Sequence, residues 1–203
     1  YVNGTFLGTR PYGFISFSFD ITPHLNKQGE NVVAVKVDNS RQPNSRWYTG
    51  CGVYRHVYLS KSTDVRVAEW GVQAISEVKK GVGLVTLNTQ IENFSGRNRR
   101  VTVRQKLWNK ALQLVTQASK TCDVAVSGTM VKQQMRVPKP QLWSPASPYL
   151  YTLTTEIIEN GRVLDGDTIR MGMRTVAFDA KQGFFLNGKN MKINGVCLHG
   201  DLG

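Results

Sequence analysis

Apolar and polar residues alternate with period two along almost the whole of this chain, and no window of eleven or more residues carries a helical stripe. Period two places successive side chains on opposite faces of an extended backbone, so the pattern confines the chain to strands with one dry and one wet face. It predicts strands over Phe14–Asp20, Asn31–Val37 and Val53–Leu59, all rich in β-branched or aromatic residues. It predicts further strands over Val65–Val72, Val82–Ile91, Val101–Trp108, Ala111–Ala118, Thr129–Val137, Tyr149–Ile158 and Arg162–Met171. Turn chemistry separates them at Lys79-Lys80-Gly81, Ser95-Gly96, Ser127-Gly128 and Asn160-Gly161. Short strands with turns at this spacing argue for an all-β class built of β-sandwiches.

The chain has 203 residues, of which 40% are hydrophobic, enough to bury a core and exclude disorder. No stretch approaches the roughly 18 apolar residues of a membrane helix, so no membrane partner is expected. Cys51, Cys122 and Cys197 are far apart and odd in number, which fits three small buried residues better than a disulfide framework or a zinc site. The formal charge of +12 raises a polyanion as partner, and its distribution is informative. Residues 61–178 carry 17 basic and 9 acidic groups, densest at Arg97, Arg99, Arg100, Arg104, Lys106 and Lys110. There the basic residues alternate with Val101, Val103 and Leu107, as on a strand with a solvated face, and lysine or arginine on such a strand also guards against edge pairing. No helix-turn-helix, zinc finger or aromatic-basic RNA signature accompanies them, so nucleic acid is not expected.

From Lys61 to Phe178 the candidate strands make up one immunoglobulin-like sandwich. Residues 1–60 hold three or four strands and a long loop from Asp38 to Cys51, too few to cover their own apolar faces, and so read as the end of a larger sandwich, poorly ordered alone or paired with another copy. Residues 179–203 contain a hairpin with its turn at Asn187-Gly188. The chain begins at Tyr1 without an initiator methionine or targeting signal, which suggests a piece of something longer.

Catalytic chemistry is thinly represented. GxSxG, HExxH, Walker and GxGxxG motifs are all missing, and His24, His56 and His199 share no ligand-like spacing. Asp165 and Asp167 flank Gly166 and read as turn formers. No cofactor and no metal are expected.

Four stretches in order carry a resemblance. Trp47-Tyr48-Thr49-Gly50-Cys51-Gly52-Val53-Tyr54-Arg55-His56-Val57-Tyr58-Leu59 comes first, and Leu142-Trp143-Ser144-Pro145-Ala146-Ser147-Pro148-Tyr149-Leu150-Tyr151 follows. Gly172-Met173-Arg174 is third, and the fourth runs from Phe185-Leu186-Asn187-Gly188-Lys189 through Asn194-Gly195-Val196-Cys197-Leu198-His199-Gly200-Asp201. Together they resemble the family 2 glycoside hydrolases, the group of β-galactosidases, β-glucuronidases and β-mannosidases. The resemblance implies the end of a sugar-binding jelly roll over 1–60, an immunoglobulin-like domain over 61–178, and over 179–203 the lead-in to a (β/α)8 barrel. It implies retaining hydrolysis of a terminal β-glycoside by two glutamates roughly 5 to 5.5 Å apart, with a β-galactoside ranked first. A barrel needs about 250 residues, so both glutamates are expected beyond Gly203 and none of the catalytic groups within the chain.

By the same resemblance, His199 is the histidine at the barrel mouth that contacts the sugar, and Asp201 accepts from sugar hydroxyls. Arg46 and Trp47 lie on the loop that reaches from the jelly roll, the indole able to stack on a sugar ring. Arg55, Arg174 and Trp143 read as packing residues. Two other classes stay open: a stand-alone carbohydrate-binding or adhesion module, and a polyanion binder using the basic strand. The sequence leaves oligomeric state open, a homo-oligomer included, and a periplasmic or secreted home would suit a polysaccharide-degrading parent.

Overall fold

The computed structural model describes residues 1–40, 52–53 and 55–197. By backbone contacts the chain divides into two compact units, Tyr58–Gly195 and a second made of Tyr1–Val57 with the residues from Val196 on.

In the larger unit the alternating runs become β1 (Val65–Lys79), β2 (Val82–Asn93), β3 (Arg99–Trp108), β4 (Leu114–Val124), β5 (Thr129–Pro138), β6 (Tyr151–Glu159) and β7 (Arg162–Met171). Three short strands follow, β8 (Val176–Asp179), β9 (Gly183–Leu186) and β10 (Lys189–Asn190). The first seven form two antiparallel sheets, ordered β1-β2-β5 and β4-β3-β6-β7, and the last three form a separate small sheet, β10-β9-β8. The β2–β5 and β3–β6 neighbours are not consecutive, so the chain crosses repeatedly between the layers, as in immunoglobulin-like sandwiches. The all-β sandwich expected from the sequence is the fold.

The core lies between the two sheets because their alternations are in phase. Val85, Leu87 and Ile91 of β2 and Val131, Met135 and Val137 of β5 face Val101, Val103 and Leu107 of β3 and Leu153 and Ile157 of β6, all buried in one cluster. Each such aliphatic side chain contributes about 1.5 to 3 kcal/mol by leaving water. Two hairpins are closed by turns whose central residues both have positive φ, Lys80-Gly81 (50° and 74°) and Asn160-Gly161 (49° and 78°). That is the type I′ geometry whose twist matches paired strands. The Asn93-to-Gly96 turn has a buried organiser: Asn93 Oδ1 accepts from the Ser95 backbone N–H at 3.0 Å, and its Nδ2 donates to the carbonyls of Arg97 at 2.8 Å and Val124 at 3.0 Å.

One layer of this core is polar. Gln105 of β3 donates from Nε2 to Thr89 Oγ1 of β2 at 3.1 Å and to Thr155 Oγ1 of β6 at 3.0 Å. Its Oε1 accepts from Gln133 Nε2 of β5 at 2.9 Å, which also lies 3.3 Å from the Val103 carbonyl. All four residues are buried, and no buried side-chain polar atom among the described residues lacks a partner. Each sits where the alternation demands an inward side chain, so the cluster ties both sheets together in one register.

Several expectations are corrected. β1 runs on to Lys79 past a large bulge: Val67 pairs with Ile91 but Val72 with Thr89, so Ala68 to Gly71 stand against Gln90 alone. Trp70 on that bulge is exposed and left-handed, with φ of 51°. β4 starts at Leu114, not Ala111, because Asn109 Oδ1 accepts from the N–H groups of Ala111 and Gln113 and folds 109–113 into a turn. Asp165 and Asp167 are strand residues within β7, not turn formers, and Asp165 Oδ2 accepts from Val67 N at 2.8 Å, joining β1 to β7. Cys122 is half-buried and Cys197 exposed, so the expectation of three buried thiols fails; Cys51 lies outside the described residues. Burial pushes the Cys122 thiol pKa up.

In the smaller unit, the runs Phe14–Asp20 and Asn31–Val37 form no ladder with one another, and Val53–Leu59 forms none where it is described. Isolated bridges join Val2 to Thr5 and Val2 to Val33, and the regular element among the described residues there is a 3-10 turn at Thr22–His24. Alternation makes a segment suitable for a sheet, but a ladder requires a partner strand for its N–H and C=O groups. Phe14, Phe17, Val35 and Val57 are correspondingly exposed.

Candidate functional site

Motifs scattered between residues 142 and 188 meet at one end of the sandwich. Leu142 bridges in parallel to Met173, and the Trp143 N–H donates to the Met173 carbonyl at 2.8 Å. The Arg174 guanidinium lies over the Trp143 ring at 5.3 Å from its centroid, a cation–π contact. Gly172 is required by contact: a Cβ there would stand 2.9 Å from Trp143 Cβ.

Asn187 completes the junction. It opens the positive-φ turn between β9 and β10 (φ 52°, then 74° at Gly188). Its Nδ2 donates to the Trp143 carbonyl at 3.0 Å, while its Oδ1 accepts from Thr175 N at 3.0 Å. Next to this brace, Tyr151 Oη accepts from Gln141 N at 2.8 Å, a tyrosine bonding back to backbone upstream of its strand as in other immunoglobulin-like domains. Burial raises the Tyr151 pKa, a shift partly offset by that hydrogen bond. An indole, a guanidinium and an amide supply no proton acceptor or nucleophile suited to bond cleavage, so the junction acts mechanically, holding the small sheet against the sandwich.

Several carboxylates of the sandwich and the small sheet are individually engaged. Glu159 takes two hydrogen bonds from the Arg99 guanidinium, the Nε one at 2.7 Å, and this holds its pKa below the usual range. Glu156 accepts from Arg104 Nε at 2.7 Å and Glu92 from Arg66 Nε at 2.9 Å. Asp179 is lowered by the N–H groups of Gln182 and Lys181, and Glu77 by Lys79. A general acid needs its carboxyl pKa raised instead. Among the described residues, no three His, Cys, Asp or Glu side chains gather as a metal site.

The residues that the sequence nominated for sugar contact, Arg46, Trp47, His199 and Asp201, all lie outside the described residues. Arg174 and Trp143, each read as a packing residue, pack against each other, a pairing the sequence did not specify. Sequence reasoning missed the role of Asn187, whose Asn-Gly pair signalled only the turn, and the buried layer around Gln105.

Known proteins give this arrangement a context. The model of the family described as Glycosyl hydrolases family 2 matches residues 65–174, which is the seven-stranded sandwich with its Gly-Met-Arg end. A β-galactosidase from Bacteroides ovatus is 45% identical over 100% of this chain and 24% of its own length. A putative β-glucuronidase from Formosa agariphila is 37% identical over 98% of this chain and 19% of its own length. The crystal structure of a glycosyl hydrolase family 2 member from Bacteroides cellulosilyticus superposes with a TM-score of 0.93 at 32% identity, covering 98% of this chain and 28% of that one. The chain thus spans about a quarter of the length of such relatives.

Proposed function

We propose, since this chain belongs to family 2 of the glycosyl hydrolases, that it is the scaffold portion of a longer retaining β-glycosidase, with a β-galactoside as substrate. The observation that carries the proposal is the 45% identity to a β-galactosidase along the whole chain, against 37% to a β-glucuronidase. In this proposal residues 1–60 end a sugar-binding jelly roll, 61–178 form the immunoglobulin-like domain and 179–203 lead into the catalytic barrel. The two glutamates that perform the displacement, one as acid/base and one as nucleophile, lie elsewhere in the parent protein.

The engaged state of Glu159 and Asp179 supports a non-catalytic role for them, because paired or capping carboxylates with lowered pKa are poor proton donors at neutral pH. The Trp143–Arg174–Asn187 brace supports a scaffold role: it ties the start of the next segment to the sandwich through backbone hydrogen bonds. His199 and Asp201, and Arg46 and Trp47 from the opposite part of the chain, are proposed to reach the sugar.

The test is hydrolysis of p-nitrophenyl β-galactoside, β-glucuronide and β-mannoside by this chain beside a version extended to the full length of its relatives. Cleavage of the galactoside by the extended protein alone is the expected result. Cleavage by the 203-residue chain would overturn the scaffold role, and an extended protein that prefers glucuronide would correct the substrate.

A further inference from the structure

The basic excess of the middle region is absorbed neither by the brace nor by the proposed catalysis. Part of it lies on the outward face of β4-β3-β6-β7. The register there places Trp108, Thr152 and Arg170 side by side across three strands, and Lys106, Thr154 and Thr168 in the row beside them. Trp108 Nε1 donates to Thr154 Oγ1 at 3.0 Å, which lays the indole along the sheet over β6 rather than upright from it. The ring is half-buried, and the Lys106 ammonium stands 5.8 Å from its centroid. Arg170 is exposed two strands away from Trp108, about 10 Å at the ladder spacing.

Charge on this face is balanced selectively. Arg104 is paired with Glu156, and Arg100 with Asp123. Lys106 and Arg170 have no carboxylate partner among the described residues. Two unbalanced cations, the hydroxyls of Thr152 and Thr168 and a flat aromatic surface thus share one patch of a chain carrying +12, the Thr154 hydroxyl being engaged by Trp108 and the Lys106 carbonyl.

We infer that this patch, Trp108 with Lys106, Arg170 and the threonines between them, is a binding face for a carboxylate-bearing polysaccharide. The indole offers the C–H face of a sugar ring a flat apolar platform. The Arg170 fork suits a carboxylate, and the Thr152 and Thr168 hydroxyls suit those of a sugar. Single-stranded nucleic acid is the lesser fit: its platforms stack successive bases on several aromatic side chains, and here there is one indole. The choice of a glycan over another anion rests on the glycosidase proposal; the binding itself requires no catalytic domain.

The test uses the 203-residue chain in affinity electrophoresis through polygalacturonate, neutral galactan and oligothymidylate. Retardation by polygalacturonate alone is expected, weakening with salt. Trp108→Ala should weaken it about tenfold, the loss of one stacking contact. Lys106→Gln with Arg170→Gln should weaken it and flatten its salt dependence. These two side chains make no fold-supporting ion pair, so the double variant decides the matter even where Trp108→Ala perturbs folding. Equal retardation by oligothymidylate, no retardation by polygalacturonate, or retention unchanged in the double variant would each overturn the inference. The hydrolysis assay above is independent: failure there with polygalacturonate binding intact removes the glycosidase proposal and leaves this face standing.

Discussion

Replacing Gln105 by leucine conserves volume but removes the centre of the buried polar layer. Three hydrogen bonds go at once, to Thr89 at 3.1 Å, Thr155 at 3.0 Å and Gln133 at 2.9 Å. Each is worth about 1 kcal/mol net, and a buried donor left short of a partner costs about 1 to 3 kcal/mol. Gln133 keeps a 3.3 Å contact to the Val103 carbonyl, and the threonine hydroxyls can rotate, so the total comes to about 2 to 4 kcal/mol. For a unit of this size that lowers Tm by about 10 °C. The decisive comparison is the quadruple variant Thr89→Val, Gln105→Leu, Gln133→Leu, Thr155→Val. Apolar side chains of similar shape leave no orphaned group, so it should regain stability to within about 1 kcal/mol of the parent chain. Urea unfolding followed by tryptophan fluorescence measures both. A quadruple variant less stable than the single one, in proportion to the residues changed, would refute the view that the cost lies in unmet hydrogen bonds. So would a single variant costing under about 0.5 kcal/mol, within the range of ordinary surface changes.

Gly172→Ala should cost about 1 to 3 kcal/mol as an overpacking change, because Trp143 is pinned by its backbone bond to Met173 and cannot retreat from a Cβ at 2.9 Å; a thermal melt with unchanged Tm would show that the brace yields. Glu159 is held below the ordinary glutamate value of 4.5 by its bonds from Arg99. Its lowered folded-state pKa makes the pair's contribution present above that value and lost as pH falls through the lowered one. Glu159→Gln should therefore flatten the fall of Tm with acid in that window, and parallel Tm–pH curves for the two proteins would show that the pair contributes nothing.

The sandwich was legible because its signals are local. Val85, Leu87, Thr89 and Ile91 announce an inward face by spacing alone, and Asn160-Gly161 announces its turn by the backbone angles those two residues tolerate. The same rule misled at Phe14–Asp20 and Asn31–Val37, where alternation describes a segment's readiness to pair and a ladder needs a partner as well. Arg46, Trp47, His199 and Asp201 were nominated by family resemblance, a source that carries roles but no geometry.

What tertiary structure decided lies between segments far apart in the chain. Alternation marks Thr89, Gln105, Gln133 and Thr155 as inward, but nothing near any of them in sequence names its partners, and only the packed sheets bring the four strands together so that they satisfy one another. Trp143, Arg174 and Asn187 likewise carry no local sign of meeting, and Lys106 and Arg170 none of sharing one face with Trp108. Alternation is set by the geometry of a single strand and can be read one residue after the next. Which strands then become neighbours is settled by burying every apolar face and pairing every buried polar group at once, a condition on the whole chain that no segment contains.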